Sequence, residues 1–447
     1  MSISKLLARF NNKNILALAG NAVISLFGLI TYSILYHHLS KPDAGKWFVF
    51  LTIVSVCEAL RNGFLGTATV KFYAGTEQEK GTTILGSVWF LAIALTGAVL
   101  LINAAGLLLL PLIHDEEFVV GIKWFGITFL SSLPFSVIYW KLQADEQYGK
   151  MLWLKMVNSI STPLSFILLF VFNKMTFENV VLFNFLTNCL TSLAGLVGGL
   201  GNIRSVFRRS KESILELIHF GKYSMGTTLS ATLLSSTDTF IIAFILGPSA
   251  VAIYTLPRQL MQVIEMFLRT FVGTGMSKMA IAFNQQNMHH VAYIMKKYSG
   301  MLTVAFIPVA LVTFLFAGII VDAYAGGKYV GTEAANIYRL IMLFSLVYPI
   351  DRFNGATLDI IHKPKINFQK TLIMLGMNII ADLTALMLFK NLYAVVFAGL
   401  ITNLTAIYFG YYHLRKYIDY SITGTLSMGF TEMTAFVRKQ LGPKGQR

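Results

Sequence analysis

The chain has 447 residues, a mean hydropathy of +0.64, 55% apolar residues and only 13% charged ones. Soluble globular chains carry about 25% charged residues, so an ordinary soluble domain is excluded. Long unbroken apolar runs also exclude a membrane β-barrel, whose strands would alternate over about ten residues.

The chain begins with a basic flank, Lys5 to Lys13, before an apolar run at 15–36. Ala17-Leu18-Ala19 mimics a signal cleavage site but stands at the start of that run rather than after it, so a retained first helix is expected. Further apolar segments follow at about 47–66, 84–110, 120–140, 151–172 and 179–200, then at 223–246, 253–277, 298–321, 336–358, 367–389 and 392–414. Twelve spans put both termini on one side. With that side cytoplasmic, 25 of the 36 Lys and Arg residues fall in cytoplasmic segments, which favours cytoplasmic N- and C-termini. Topology thus absorbs the net charge of +15, and nucleic acid is not an expected partner.

The basic stretch between the sixth and seventh spans divides the chain evenly. The expected organisation is a six-helix lobe at 1–202, a basic cytoplasmic linker at 203–222, a second six-helix lobe at 223–416 and a tail at 417–447. In the tail Leu426, Phe430, Met433, Val437 and Leu441 recur at helical spacing, as in a helix lying on an anionic leaflet; a disordered tail is the alternative. The halves repeat features at a lag of about 207 positions: Pro42 with Pro248, Glu58 with Glu265, and Arg61 with Arg269. Parallel six-helix repeats are a known transporter plan, with substrate bound where the lobes meet. The expected fold is therefore all-α, about twelve spans in two lobes around a central cavity.

The eighth segment carries the densest polar signal. Tyr254, Arg258, Gln262, Glu265 and Arg269 fall within about 40° of one line on a helix. Each charge at a bilayer centre costs about 2.5–3.5 kcal/mol, so this stripe should face protein or water. Glu58 with Arg61 and Glu265 with Arg269 are spaced to neutralise each other, and structural pairing stands beside ligand contact for both. Arg258 has no acid three or four residues away and follows Pro257, and its planar guanidinium suits phosphate oxygens. A cross-helix acid such as Asp238 is its alternative partner. Asn21 in the first span adds a polar group and, with Tyr254 and Gln262, is a candidate to line a substrate-binding cavity. Asp359 and Asp382 are candidates for a coupling proton or sodium ion, or for structural pairs, as are Glu58, Glu265 and Asp238. No cofactor or metal site is expected, since the histidine pairs at 37–38 and 289–290 lack a third ligand.

Several stretches carry a family likeness: Leu39 to Gly45 with Trp47-Phe48; Gly66 with Val70-Lys71-Phe72; Leu142-Gln143-Ala144; and Ile218 to Tyr223 through Thr237 to Ile242 and Gly247 to Tyr254. On these the chain resembles the polysaccharide or lipid-linked oligosaccharide flippases of the multidrug/oligosaccharidyl-lipid/polysaccharide exporter superfamily. The resemblance implies alternating access and movement of an undecaprenyl-pyrophosphate-linked sugar between leaflets of a bacterial cytoplasmic membrane, for cell-surface polysaccharide such as the O-antigen of lipopolysaccharide. It also implies a cavity lined by helices 1, 2, 7 and 8, with basic residues meeting the pyrophosphate, for which Arg258, Arg61 and Arg269 are the candidates. Implied partners are the lipid-linked glycan, the bilayer and other polysaccharide-assembly proteins. A cation-coupled multidrug or metabolite exporter of the same superfamily is the alternative. An enzyme is not expected: no external connection exceeds about 20 residues, and no P-loop occurs.

Overall fold

The structure is a computed structural model that describes the backbone of residues 13–108 and 116–441; the acidic loop expected around 111–117 falls largely outside the described residues. All regular elements among these residues are helical. They are α1 (Lys13–His38), α2 (Lys41–Arg61, continuing to Tyr73), α3 (Gln78–Leu108), α4 (Glu116–Ser131 and Leu133–Ala144), α5 (Tyr148–Val171), α6 (Phe177–Val197), α7 (Lys211–Leu246), α8 (Pro248–Asn284), α9 (Met288–Ala325), α10 (Ala334–Phe344 and Tyr348–Ile360), α11 (Pro364–Phe389), α12 (Leu392–Leu414) and α13 (Ile422–Leu441). Nine of these, α2 to α7 with α9, α11 and α12, are long and apolar enough to cross a membrane by length and composition. The polar stripe of α8 and the 3₁₀ turn Ser345–Val347 that interrupts α10 explain why those two do not score as continuous apolar spans.

One compact unit ends at Thr239 and a second begins at Phe240, within α7. The stretch expected as a linker at 203–222 contains a 3₁₀ turn, Ile203–Arg208, and the first three turns of α7. Its pattern is amphipathic: Leu217 is buried while Lys211, Glu212, Glu216 and Lys222 are exposed, so a helix there satisfies both faces.

In the first unit, the core of α3 and α4 gathers Leu85, Val88, Trp89, Val137 and Trp140. The Trp89 indole donates to the Gly201 carbonyl at 2.9 Å, tying the 3₁₀ connection to α3. At Gly86 that connection comes so near that a Cβ would lie 2.1 Å from the Ser205 carbonyl oxygen. His38 at the end of α1 stacks on Phe170 of α5, with ring centroids 3.9 Å apart.

The second unit packs α8, α9, α10 and α12 around Met279, Met295, Phe353 and Leu358. Helix α13 crosses α9 where Gly300 faces Gly429; a Cβ on Gly429 would come within 2.1 Å of the Gly300 carbonyl carbon. Only two glycines permit that approach. Beside the crossing, Glu432 accepts a hydrogen bond from Tyr293 at 2.6 Å and pairs with Lys297 at 2.5 Å. The tail helix is thus docked on α9, while Leu426 and Phe430 of its apolar pattern remain exposed.

Candidate functional site

The first unit contains a cavity of about 660 Å³ among α2, α4, α5 and α6, with Thr228 of α7 on its wall. Two departures from regular helix shape it. In α2, residues Asn62–Gly66 form a π-helical turn, a feature found disproportionately at functional sites. In α4 the helix breaks at Ser132, just before Pro134, whose ring removes one backbone donor. The carbonyls near the break are reused: Ser192 of α6 donates to Ser131 at 2.5 Å and Arg61 to Phe129 at 3.2 Å.

Arg61 is fully buried. Its guanidinium lies 4.4 Å from the Phe129 ring centroid and donates to Thr96 at 3.3 Å, Ser132 at 2.7 Å and Ser136 at 3.2 Å, besides its bond to the Glu58 carboxylate. Ser132 donates to the same Glu58 oxygen. Glu58 therefore stands on the cavity wall while Arg61 sits behind it, neutralising it from the protein side. Between these two residues the geometry is that of a buried, hydrogen-bonded pair rather than of a cation offered to a ligand.

Apart from one ammonium the rest of the wall is uncharged, and it is rich in hydrogen-bonding groups. The Trp140 indole donates to Asn62 Oδ1 at 3.0 Å. Asn158 donates to Asn188 at 3.3 Å and Asn188 to Asn184 at 3.4 Å, a relay of amides along α5 and α6. Lys155 lies 4.7 Å from the Tyr139 ring centroid and supplies the cavity's ammonium. Aromatic faces beside amides and hydroxyls can hold a polyhydroxylated ligand by stacking and directional hydrogen bonds. Sequence reading did not single out Lys155, Trp140, Asn184 or Asn188. The available signal was Asn184 and Asn188 four residues apart in an otherwise apolar run, opposite Asn158.

In the second unit, α8 brings part of its expected stripe together. Tyr254 is buried, and the Arg258 guanidinium lies 5.5 Å from its ring centroid. Pro257 is buried within the helix, and Gln262 bonds Gln259 one turn away. Glu265 accepts from Arg269 at 3.0 Å, but that arginine side chain is 75% exposed. Asp238, in the first unit's part of α7, is buried. Asp382 is fully buried on α11 and accepts from Asn378 at 3.2 Å; Asp359 accepts from Asn367 at 2.9 Å. Asn21 belongs to α1, but its side chain lies outside the described residues.

A family model described as polysaccharide biosynthesis protein matches residues 12–274, more than half of the chain. The chain belongs to the polysaccharide biosynthesis protein family. Its fold matches a solved structure of the lipid II flippase MurJ in an inward closed conformation, at TM-score 0.75 and 13% identity over 97% of this chain and 94% of that one. An inward-facing multidrug resistance MATE family transporter of the MOP superfamily matches at TM-score 0.71 and 15% identity, over 94% and 96%. A MOP superfamily transporter from Pyrococcus furiosus, described as having a binding pocket of reversed polarity, matches at 0.59 and 14% identity over 94% of each chain. No curated protein sequence matches the chain. At the level of family and helical membrane fold, the resemblance and the all-α expectation are borne out. This member of the polysaccharide biosynthesis protein family has the helical fold of the MOP superfamily.

Proposed function

We propose that the protein is a transporter that flips a lipid-linked oligosaccharide, carried on undecaprenyl pyrophosphate, from the inner to the outer leaflet of the bacterial cytoplasmic membrane, with both termini cytoplasmic. The family membership carries this reading, and the first unit's cavity of amides, hydroxyls, indole and phenol is chemistry suited to sugar. The lipid tail stays in the bilayer while the polar headgroup crosses through protein, and alternating access exposes it to each side in turn. Arg258 is the candidate phosphate ligand, while Glu58 and Asp382 are candidates for coupling to a proton or sodium ion. The product supplies cell-surface polysaccharide assembly, of which O-antigen for lipopolysaccharide is one form, in concert with other assembly proteins.

Leaflet-resolved transport in proteoliposomes tests this, with a polyprenyl-pyrophosphate-linked sugar and a panel of organic cations. Movement of the lipid-linked sugar supports it; export of cations with no movement of that sugar overturns it in favour of a cation exporter. Arg258→Ala is expected to abolish flipping with expression intact, and near-normal rates would remove it from the substrate path.

A further inference from the structure

A second cavity of the first unit, about 700 Å³, opens where α2 ends and α7 begins. Its existence follows from a tight helix crossing. A Cβ on Gly221 of α7 would lie 2.4 Å from the Phe64 carbonyl oxygen, and one on Gly63 of α2 would lie 2.9 Å from the Met225 Cα. This clamp brings the last turn of α2 beside the first turns of α7. The Lys71 ammonium then lies 4.1 Å from the Phe220 ring centroid and 5.2 Å from that of Phe72. Lys222 lies 5.0 Å from the exposed Tyr223 ring, whose other neighbour is the His219 ring at 6.1 Å. Among the described residues neither Lys71 nor Lys222 forms an ion pair, and both are exposed.

We propose that this groove binds the headgroup of an anionic glycerophospholipid, with Lys71 and Lys222 on its phosphate and the exposed Leu215, Ile218 and Tyr223 against its glycerol and upper acyl chains. Three observations favour this occupant. The groove lies where the apolar part of α7 meets its charged extension, the depth of a headgroup. Two lysines and Glu216 leave it with one net positive charge when His219 is neutral, matching a phosphodiester rather than a more highly charged pyrophosphate. Apolar side chains flank the cations, as an amphipathic ligand requires.

The test counts lipid bound to the purified full chain by native mass spectrometry, across titrations of phosphatidylglycerol and phosphatidylcholine. Phosphatidylglycerol is expected to bind in preference. Each lysine near an anionic surface contributes a factor of about five, so Lys71→Gln and Lys222→Gln together should weaken binding about twenty-five-fold. Both side chains are exposed, so thermal unfolding of the double variant should match the parent. Equal binding by parent and double variant overturns the proposal, as does equal binding of the two lipids. Displacement by a polyprenyl pyrophosphate at lower concentration than phosphatidylglycerol overturns it in favour of a substrate-loading site, and displacement by inorganic phosphate in favour of a free-anion site. None of these readouts depends on whether the protein flips a glycan.

Discussion

Spacing along the chain pairs Glu58 and Arg61 of α2 with Glu265 and Arg269 of α8, yet these two acid–base pairs inhabit opposite environments. The Arg61 side chain is 0% exposed and Arg269 75% exposed. The physical counterpart of the α2 pair in the second unit is a different one: Lys370 of α11 donates to Asp351 of α10 at 2.6 Å, with side chains only 5% and 9% exposed. Among the described residues each unit thus has one ion pair with a buried cation, but the residues come from unrelated positions. A repeat in sequence preserves helix spacing more readily than burial, because burial depends on what neighbouring helices present.

The α2 pair should respond most strongly to mutation. Arg61→Met leaves the Glu58 carboxylate, which also accepts from Ser132, without its buried cation, and should lower stability by about 3–5 kcal/mol in denaturant unfolding of the detergent-solubilised protein. Adding Glu58→Gln should recover most of that loss, since the cost lies in the orphaned charge. A loss no larger than that of Arg269→Ala would erase the distinction between the two pairs. Lys370→Met should come next, at about 3 kcal/mol, because Asp351 loses the buried ammonium that also bonds its backbone carbonyl at 3.3 Å. If this variant were as stable as the parent, the equivalence drawn between the two buried pairs would fail.

The helices were legible because apolar runs of spanning length leave few alternatives, and the asymmetry of Lys and Arg suggested an orientation. Interruptions were less legible. Pro134 stands inside an apolar run of spanning length, which does not itself show where a helix breaks; the π-turn at Asn62–Gly66 has no residue-level signature beyond its two glycines. The stripe on α8 was read from one helix's periodicity, and that holds for Tyr254 with Arg258. The surroundings of Arg61 were not readable, since Thr96, Phe129, Ser132 and Ser136 come from α3 and α4. The pair of Asp351 and Lys370 was hidden for the same reason: the residues are 19 positions apart on two helices.

An intermediate case sharpens the gradient. Lys297 and Glu432 join α9 to α13 with side chains 30% and 25% exposed. Hydrogen bonds from Lys297 and then Tyr293 hold the Glu432 carboxyl below its ordinary range. A depressed acid stabilises docking above its unfolded value, about 4.3 for glutamate, and the contribution is lost as pH falls through the lower docked value. Hydrogen exchange over 422–435 should therefore accelerate below about pH 4.3, and Glu432→Gln should remove that acid-specific step at a cost of about 1 kcal/mol at neutral pH. An unchanged acid profile in the variant would assign the docking to the glycine crossing alone.

The smallest effect on stability is expected at α8, and there the absence of a large effect is itself informative. An exposed pair four residues apart on a helix contributes about 0.3–0.5 kcal/mol, so Arg269→Ala, Glu265→Ala and the double variant should unfold within about 0.5 kcal/mol of the parent. Transport then separates the two remaining readings. If flipping falls with Arg269→Ala and is not restored by adding Glu265→Ala, the guanidinium acts on a ligand. If the double variant recovers the rate, its work is to neutralise Glu265. A stability loss of several kcal/mol in Arg269→Ala would instead mean that the side chain is buried in the membrane-embedded protein, and the contrast with Arg61 would disappear.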